Sequence, residues 1–327
     1  MQTRDIIVIG SSMGGIEALA ALAAQLPADL PASVLVVQHL SDESPSVLSD
    51  ILDRRGPLAA VTAADGMALE RGRIYVAPPN RHLLVTERGI RVVFGARENR
   101  CRPGIDPLFR TAAVHFRSRV IGVVLTGLLG DGAAGLYAVA RCGGAAVVQA
   151  PDDAAYPEMP RRALARVRNA DVVPLAQMGA LLDRLSRQPA PPPPPVPEAL
   201  SIEARLTEQT MGTDDRNELP GKPSRFTCPE CSGPIMEIDE DGRKRYRCQV
   251  GHAYSPDDML LAKTQALEET LWVALQTLEE RAAMLATLVR EDRDRGWARN
   301  AGGFETRERE TREHAGRLRE LLNSLAR

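Results

Sequence analysis

At the start of this chain an apolar strand-like run leads directly into a glycine-rich turn and then into a helical pattern. The stretch reads DIIVIGSSMGGIEALAAL and covers residues 5 to 22. Such a sequence is typical of the first β-turn-α unit of a parallel sheet. The turn holds two serines and two adjacent glycines, so it is either a phosphate cradle at a helix N-terminus or a loop that presents a nucleophile.

The same alternation continues to about residue 187, where Val/Ile-rich runs alternate with Ala/Leu-rich ones. Strands are predicted at Ile6–Ile9, Ser33–Val37, Ile74–Ala77, Leu83–Thr86, Val120–Leu125, Ala145–Gln149 and Asp171–Val173. Helices are predicted at Gly15–Gln25, Pro107–Arg117, Ala133–Arg141, Met159–Arg168 and Ala176–Ser186. We therefore predict an α/β domain over residues 1–187, with a doubly wound, mostly parallel, Rossmann-like sheet.

Charge and cysteine content limit the kinds of partner and compartment. The 41 Lys and Arg residues nearly balance the 43 Asp and Glu residues, so no strong field points to nucleic acid or an anionic membrane. No apolar run reaches the roughly 18 residues that a membrane span needs, and the first residues do not resemble a signal peptide. The five cysteines are an odd number in a long chain, which argues against a secreted disulfide framework. We expect a cytoplasmic protein without membrane insertion or a nucleic-acid partner.

A proline run, QPAPPPPPVPEA at residues 188–199, separates this domain from the rest of the chain. Such a run forms neither a helix nor a central strand, and it predicts an extended linker over residues 188–224. A short helix is predicted within the linker at Ile202–Met211. A small module follows at residues 225–255, and a helical tail, which could form a coiled coil, at residues 256–327.

In the tail, leucines recur at spacings of three, four or seven, which predicts an amphipathic helix ending near Arg295. Gly296 and the pair Gly302–Gly303 predict a reversal into a second helix at Phe304–Leu325. The leucine face of this helix either packs within the tail or forms a surface through which the chain dimerises or docks on a partner.

The opening turn does not fit a dinucleotide or nucleotide cradle. Its glycine order differs from G-x-G-x-x-G, and it lacks the Gly-Lys-Ser/Thr of a P-loop. The second strand ends in VVQHL, with His39 where a Rossmann domain has an acidic residue for the ribose. A nucleotide-binding oxidoreductase is therefore the disfavoured alternative.

The residues fit a nucleophile better than a phosphate site. Ser12 and His39 follow adjacent strands, which places a general base beside a hydroxyl. Asp131, in VVLTGLLGDGAAGL, follows a further strand and could orient the imidazole. Each residue also has a structural alternative, since Ser12 could cap a helix, His39 could end a strand, and Asp131 could cap the helix that begins beside it.

The ordered motifs IGSSMGG, VVQHL, IYVAPPNRHLLV, GIDPLFRTAA, VVLTGLLGDGAAGL and PEMPRRAL resemble the catalytic domain of chemotaxis protein-glutamate methylesterases, the CheB family. The resemblance covers residues 5 to 187. It implies a nucleophile at Ser12, with His39 and Asp131 as triad partners. It further implies hydrolysis of γ-glutamyl methyl esters on methyl-accepting chemoreceptors, often with deamidation of receptor glutamines, and no cofactor for catalysis.

The resemblance also implies which groups would hold the oxyanion of the reaction. Backbone N–H groups near Met13 and Leu128 are the candidates. The family commonly has Thr where this chain has Met13, and Met where it has Leu128, so the catalytic rate is the property most in question. Well-known members carry a receiver domain before the catalytic one. We expect a stand-alone form that is either constitutive or regulated by a partner or by its own tail.

The cysteine module predicts a metal site. Cys228 and Cys231 form a C-x-x-C pair, and Cys248 and His252 form a C-x-x-x-H pair after a 16-residue spacer. Two tight pairs at this distance match a structural zinc ribbon with a closed Cys₃His site for Zn2+. A redox C-x-x-C is the alternative, but it lacks a thioredoxin-like context. Cys101 and Cys142 are read as ordinary thiols.

Two functions follow from these features. The first is a receptor methylesterase that uses Ser12, His39 and Asp131 and is joined to a zinc-ribbon and helical interaction module. The second is a weakly active or inactive scaffold that binds receptors or the cognate methyltransferase through its C-terminal half. The complete triad favours the first function.

Overall fold

The computed structural model describes residues 2–41, 46–208 and 219–325. The strands up to residue 187 are β1 Ile6–Ser11, β2 Ser33–Gln38, β3 Ala59–Thr62, β4 Arg73–Val76, β5 His82–Thr86, β6 Gly89–Val93, β7 Val120–Val124, β8 Ala145–Gln149 and β9 Asp171–Val173. The helices are α1 Gly15–Ala23, α2 Leu48–Arg55, α3 Ile105–Phe116, α4 Ala133–Arg141, α5 Glu158–Arg166 and α6 Leu175–Arg187, with a short 3-10 helix at Arg117–Arg119.

Seven of these strands form one sheet in the order β3-β4-β2-β1-β7-β8-β9. Every neighbouring pair in it is parallel. The strand order reverses between β1 and β7, which is where open α/β sheets hold their ligands, beyond the carboxyl ends of the strands. The predicted doubly wound parallel sheet is confirmed.

The central strands read as continuous apolar runs because helices cover both faces of the sheet. Along β1, Ile6 and Val8 pack into one core and Ile7 and Ile9 into the other. All six residues of β1 are buried. The resulting scaffold fixes the ends of β1, β2 and β7 relative to one another.

Three elements of the domain differ from the predictions. The strand predicted at Leu83–Thr86 exists, but it pairs antiparallel with the unpredicted β6 in a separate hairpin instead of joining the main sheet. The edge strand β3 and helix α2 were also not predicted, because four and eight residues carry too little periodicity to stand out.

Beyond residue 187 the chain continues along the first domain. Ala190 N–H donates a 2.8 Å hydrogen bond to Gln2 O. Helix α7, Glu198–Thr207, packs on α3. The end predicted for this helix at Met211 lies outside the described residues. Positions 209–218 of the predicted linker also lie outside them, so the linker stays a prediction.

The cysteine module folds as a four-stranded antiparallel sheet. Its strands are β10 Lys222–Thr227, β11 Pro234–Glu240, β12 Arg243–Cys248 and β13 Ala253–Tyr254. The two-residue turn Asp241–Gly242 joins β11 to β12, and both residues have positive φ, as tight hairpin turns require. We call residues 220–255 the ribbon.

The chain divides into two compact units between Met259 and Leu260, so the ribbon belongs to the same unit as the α/β domain. Helices α8 Pro256–Asp294 and α9 Ala298–Leu325 form the predicted helical hairpin, in which Leu275, Ala315 and Leu322 pack together. The reversal lies at Gly296, with φ +76°. Gly302 and Gly303, predicted to lie in the turn, are inside α9 instead. None of the helices described has the length and apolar character needed to cross a membrane.

Candidate active site

The turn after β1 is filled by protein atoms. Ser11 donates a 2.7 Å hydrogen bond to Gln38 Oε1, and Gln38 Nε2 donates to Ser12 O at 2.8 Å. A Cβ at Gly15 would lie 2.0 Å from Gln38 Oε1, so only glycine fits where this side chain crosses the turn. Ser12 does not cap α1, whose N-cap is Gly14. The space that a phosphate would need is therefore occupied by Gln38.

Ser12, His39 and Asp131 lie side by side at the carboxyl edge of the sheet. His39 Nδ1 is 3.2 Å from Ser12 Oγ, and His39 Nε2 is 2.8 Å from Asp131 Oδ2. In chymotrypsin-type proteases Nε2 of the histidine faces the serine and Nδ1 faces the aspartate. Here Nδ1 faces Ser12 and Nε2 faces Asp131, so the imidazole still contacts both groups. A hydroxyl, an imidazole and a carboxylate in this order can transfer the hydroxyl proton while the oxygen attacks a carbonyl.

Asp131 is almost fully buried and is surrounded by hydrogen-bond donors. Its Oδ2 accepts from Ile105 N at 2.6 Å, and its Oδ1 accepts from Asp106 N at 3.2 Å, both in the first turn of α3. Gly132 N and Asn99 Nδ2 also donate to Oδ1, each at 3.0 Å. The positive end of a helix dipole favours a carboxylate at this place. Asp131 therefore caps α3 in addition to facing His39.

The site contains a thiol that the sequence analysis had treated as an ordinary one. Cys101 Sγ lies 3.6 Å from His39 Nδ1, on the same ring nitrogen that faces Ser12. Burial lowers the pKa of His39, but its interactions with Cys101 and the hydrogen bond to Asp131 outweigh burial and raise its pKa. For Asp131, burial raises the pKa, and the hydrogen bond and charge of His39 lower it below its usual range. Both shifts stabilise an imidazolium that is paired with the ionised Asp131, which is the ion pair that forms when His39 accepts a proton.

The two predicted oxyanion positions lie on two loops that meet at Ser12. The side chains of Met13 and Leu128 are both exposed, at 50% and 39%. Their loops are tied together, because Ser12 N donates to Thr126 O at 3.0 Å and Thr126 Oγ1 donates to Met13 O at 3.1 Å. A Cβ at Gly127 would lie 2.7 Å from the Cβ of Ser12. The backbone before Leu128 therefore passes directly against Ser12.

The four predicted metal ligands of the ribbon converge. Cys231 Sγ is 3.7 Å from Cys248 Sγ, and His252 Nδ1 is 3.6 Å from Cys228 Sγ and 3.5 Å from Cys248 Sγ. All four ligand atoms lie within 4.8 Å of one another. A tetrahedral ion with metal–sulfur bonds of about 2.3 Å separates its ligand atoms by roughly 3.5 to 3.8 Å, so these residues fit zinc. The carboxylate of Glu230 lies 3.2 Å from His252 Nε2 and can orient the imidazole.

Two residues at the site, Asn99 and Cys101, were missed by sequence reasoning. Neither belongs to a ligand-type spacing, and both lie in the loop between β6 and α3. The only signal near them is the motif GIDPLFRTAA, which begins at Gly104 just after this loop. Their approach to Asp131 and His39 depends on the path of the loop, which no local pattern encodes.

A parallel α/β sheet with a serine, a histidine and a buried aspartate joined at its carboxyl edge is typical of a serine-dependent hydrolase. The sequence profile of the CheB methylesterase family matches residues 7–182, more than half of the chain. The solved CheB methylesterase catalytic domain of Thermotoga maritima superposes with a TM-score of 0.53 at 29% identity, and the match covers 55% of this chain and 98% of that domain.

Two curated relatives agree with this match. A Leptospira interrogans protein, provisionally named protein-glutamate methylesterase/protein-glutamine glutaminase, is 36% identical over 184 residues, which are 56% of this chain and 95% of that protein. Protein-glutamate methylesterase/protein-glutamine glutaminase 5 of Anaeromyxobacter dehalogenans is 38% identical over 190 residues, but the match covers only 52% of its length. The chain belongs to the CheB methylesterase family, as its motifs predicted. It is an enzyme of the protein-glutamate methylesterase class.

Proposed function

We propose that this chain hydrolyses γ-glutamyl methyl esters, and deamidates glutamines, on methyl-accepting chemoreceptors during chemosensory adaptation in the cytoplasm. The observation that carries the proposal is the hydrogen-bonded series of Ser12, His39 and Asp131 within a methylesterase domain. The names of the curated relatives give both activities to those proteins. One site can serve both reactions, because each begins with attack on a side-chain carbonyl.

In the proposed reaction, Ser12 Oγ attacks the ester carbonyl carbon while its proton passes to His39 Nδ1. The bond to the methoxy oxygen then breaks, and His39 gives the proton to the departing methanol. A water molecule next attacks the acyl carbonyl while it gives a proton to His39. His39 returns this proton to Ser12 Oγ as the acyl bond breaks, and the released glutamic acid ionises to the carboxylate. Asp131 stays ionised throughout and stabilises the imidazolium.

The backbone N–H groups of Met13 and Leu128 are proposed to hold the oxyanion of each tetrahedral intermediate. The support is their position on the two loops that meet at Ser12. N–H groups of this kind stabilise the developing charge without having to reorganise during the reaction. Because only backbone atoms are required, the side chains at these two positions can differ from the family pattern.

The parts beyond residue 187 are proposed to serve binding and regulation. We assign a structural Zn2+ to Cys228, Cys231, Cys248 and His252, where the metal would supply much of the stability of a module this small. Residues 188–224 would link the domain to this module. The helical tail, residues 256–327, would dock the enzyme on receptors or on the cognate methyltransferase.

Replacing Cys101 with serine should move the acidic limb of the kcat/KM profile to lower pH. His39 must be neutral to accept the proton of Ser12, and Cys101, whose Sγ lies 3.6 Å from His39 Nδ1, raises the pKa of His39. Without that interaction the imidazole loses its proton at lower pH, so activity should start at lower pH. The measurement is kcat/KM for methanol release as a function of pH. Cys142→Ala, which removes a buried thiol remote from the site, should leave the limb in place. If the acidic limb of Cys101→Ser stayed at the wild-type pH or moved to higher pH, Cys101 would not raise the pKa of His39.

The test of the proposed function is methanol release from methylated receptor cytoplasmic fragments by the full chain, combined with labelling by a serine-directed organophosphorus reagent. We expect methanol release that the reagent abolishes, with the label found on Ser12. Ser11 should stay unlabelled because its hydroxyl is buried and bonded to Gln38. If receptor fragments bind but no methanol forms, the chain acts as a scaffold and the proposal fails.

A further inference from the structure

Asn99 connects the two buried carboxylates behind His39. Its side-chain Nδ2 donates to Asp131 Oδ1 at 3.0 Å and to Asp106 Oδ2 at 2.9 Å. Asn99 is only 6% exposed. The two N–H bonds of the carboxamide are therefore each committed to one carboxylate, and one of those carboxylates is the partner of His39.

The other side of Asn99 is bound by Ala253 and Ser255, at the end of the ribbon. Asn99 N donates to Ala253 O at 2.7 Å, and Ser255 N donates to Asn99 Oδ1 at 3.1 Å. Glu98 forms a parallel bridge with Ala253, so β13 extends onto the loop that carries Asn99. Asn99 has a φ of +48°, a conformation that asparagine tolerates better than most residues. Every polar group of the side chain is thereby satisfied.

The hydrogen bond from Ser255 determines which way the carboxamide points. If the amide were reversed, its oxygen would face the carboxylates of Asp106 and Asp131, and its NH₂ would face the N–H of Ser255. Both contacts would be repulsive, because acceptors would meet acceptors and donors would meet donors. The chain segment leaving the ribbon thus supplies one of the contacts that hold Asn99 in its donating orientation.

A buried ionic cluster fixes the ribbon to the same loop. Arg247 in β12 donates to Glu98 Oε2 at 2.8 Å and to Glu203 Oε2 at 2.9 Å. Glu98 is also paired with Arg110 of α3. The side chains of Arg247, Glu98 and Glu203 are 1% to 3% exposed. The residue next to Asn99 is therefore anchored to the ribbon by charges that water does not screen.

We propose that Asn99 is a positioning residue for Asp131 and that the metal-bound ribbon holds it in place, so that metal binding at the four ribbon ligands controls the His39–Asp131 hydrogen bond. This inference rests on the proposed triad. It gives the ribbon a part in the catalytic centre, which no ligand spacing predicted. Loss of the metal would release Ala253 and Ser255, and Asn99 would then lose its fixed orientation.

The expected direction of the pH effect follows from the charges around Asp131. Beyond their own pair, His39 interacts with Cys101, and Asp131 interacts with Asp106, His82 and Asp258 from the surrounding elements. The donation by Asn99 stabilises the ionised carboxylate of Asp131. Without it the carboxylate binds the imidazolium more strongly, so the pKa of His39 should rise. The acidic limb of kcat/KM should then move to higher pH.

The experiment compares the zinc-loaded full chain with the chelator-treated full chain, each as wild type and as Asn99→Ala. The readouts are kcat, KM, and the proton NMR signal of the His39 Nε2–H bonded to Asp131, identified by its loss in His39→Gln. We expect Asn99→Ala to lower kcat about tenfold with little change in KM, and to shift the low-field signal. Zinc removal from wild type should shift the same signal in the same direction, and zinc removal from Asn99→Ala should shift it no further.

Two controls make the result specific. Asn80→Ala removes another left-handed asparagine, whose Oδ1 accepts from Arg102 in the same loop, and it should leave the His39 signal unchanged. The ring signal of His82, bonded to Ala96 O and Gly104 N at the two ends of this loop, reports that the domain stays folded. A His39 signal that does not respond to Asn99→Ala, or that responds to Asn99→Ala but not to zinc removal, overturns the inference. Because this signal does not depend on turnover, it separates failure of the inference from failure of the proposed function.

Discussion

The Ser12→Ala chain should release methanol from methylated receptor fragments about 10⁴-fold more slowly than the wild type, or slower still. Removal of the nucleophile in a serine triad costs this much because the remaining groups cannot form the acyl-enzyme. Substrate binding should be nearly unchanged, since the substitution removes one oxygen from a partly exposed turn. The measurement is kcat for methanol release, with fragment affinity determined separately.

Ser11→Ala is the matched control, because the two serines are adjacent and only Ser12 faces His39. The hydroxyl of Ser11 is buried and donates to Gln38 Oε1 at 2.7 Å, so its loss should reduce kcat by no more than about tenfold, through a looser Gln38. If Ser11→Ala abolished turnover while Ser12→Ala preserved it, the nucleophile would be assigned to the wrong residue.

Arg247→Met should destabilise the ribbon by up to about 3–5 kcal/mol, because it removes a cation shared by two buried glutamates and leaves Glu98 with Arg110 and Glu203 mainly with Arg245. Burial alone would raise the pKa of Glu98 and Glu203. Arg110 and Arg247 lower it for Glu98, and Arg245 and Arg247 lower it for Glu203. In the wild type this stabilisation is present above the usual glutamate pKa of about 4.3 and is lost as the pH falls towards the lowered values. In the variant the pKa values of the two glutamates should lie closer to the usual value, so less stability is lost on acidification.

Native-state hydrogen exchange of the β12 amides measures this opening free energy within the full chain. Lys244→Met is the matched control, because Lys244 lies in the same strand but pairs with Glu237 at the surface. It should leave β12 protection unchanged, as exposed ion pairs contribute little. Equal protection of β12 in Arg247→Met and the wild type would show that the buried cluster does not hold the ribbon.

The parts of the fold that sequence predicted are those with a strong local signal. β1, β2 and β7 are buried on both faces, so each reads as an uninterrupted apolar run. The pairing of β5 with β6 could not be read in this way, because an isolated hairpin and a sheet strand share the same period of two. The end of α8 near Arg295 was predicted correctly, but α9 begins at Ala298 and not at Phe304. Gly302 and Gly303 resemble a break, but Gly296 supplies the left-handed residue that ends α8.

At the site, the residues that sequence reasoning selected are those that follow strands. Ser12, His39 and Asp131 could be grouped because parallel strands bring their carboxyl ends to one edge. Asn99 and Cys101 lie on a loop whose course depends on contacts with the ribbon, more than 150 residues later for Asn99 and Ser255. Contacts of this kind leave no periodic trace in either segment. The convergence of the four proposed metal ligands of the ribbon was predictable, because metal coordination requires close pairs of cysteine and histidine.

The buried cluster of Glu98, Arg110, Glu203 and Arg247 also has an evolutionary consequence. Glu98 and Arg110 lie inside the segment that matches the family, residues 7–182, whereas Glu203 and Arg247 lie beyond it. A descendant that lost the ribbon would expose Glu98 to water, and selection would no longer maintain a glutamate there. A descendant that kept the ribbon could not change Arg247 alone, because a buried charge would be left behind. Across lineages, Glu98 and Arg247 should therefore be inherited as a pair.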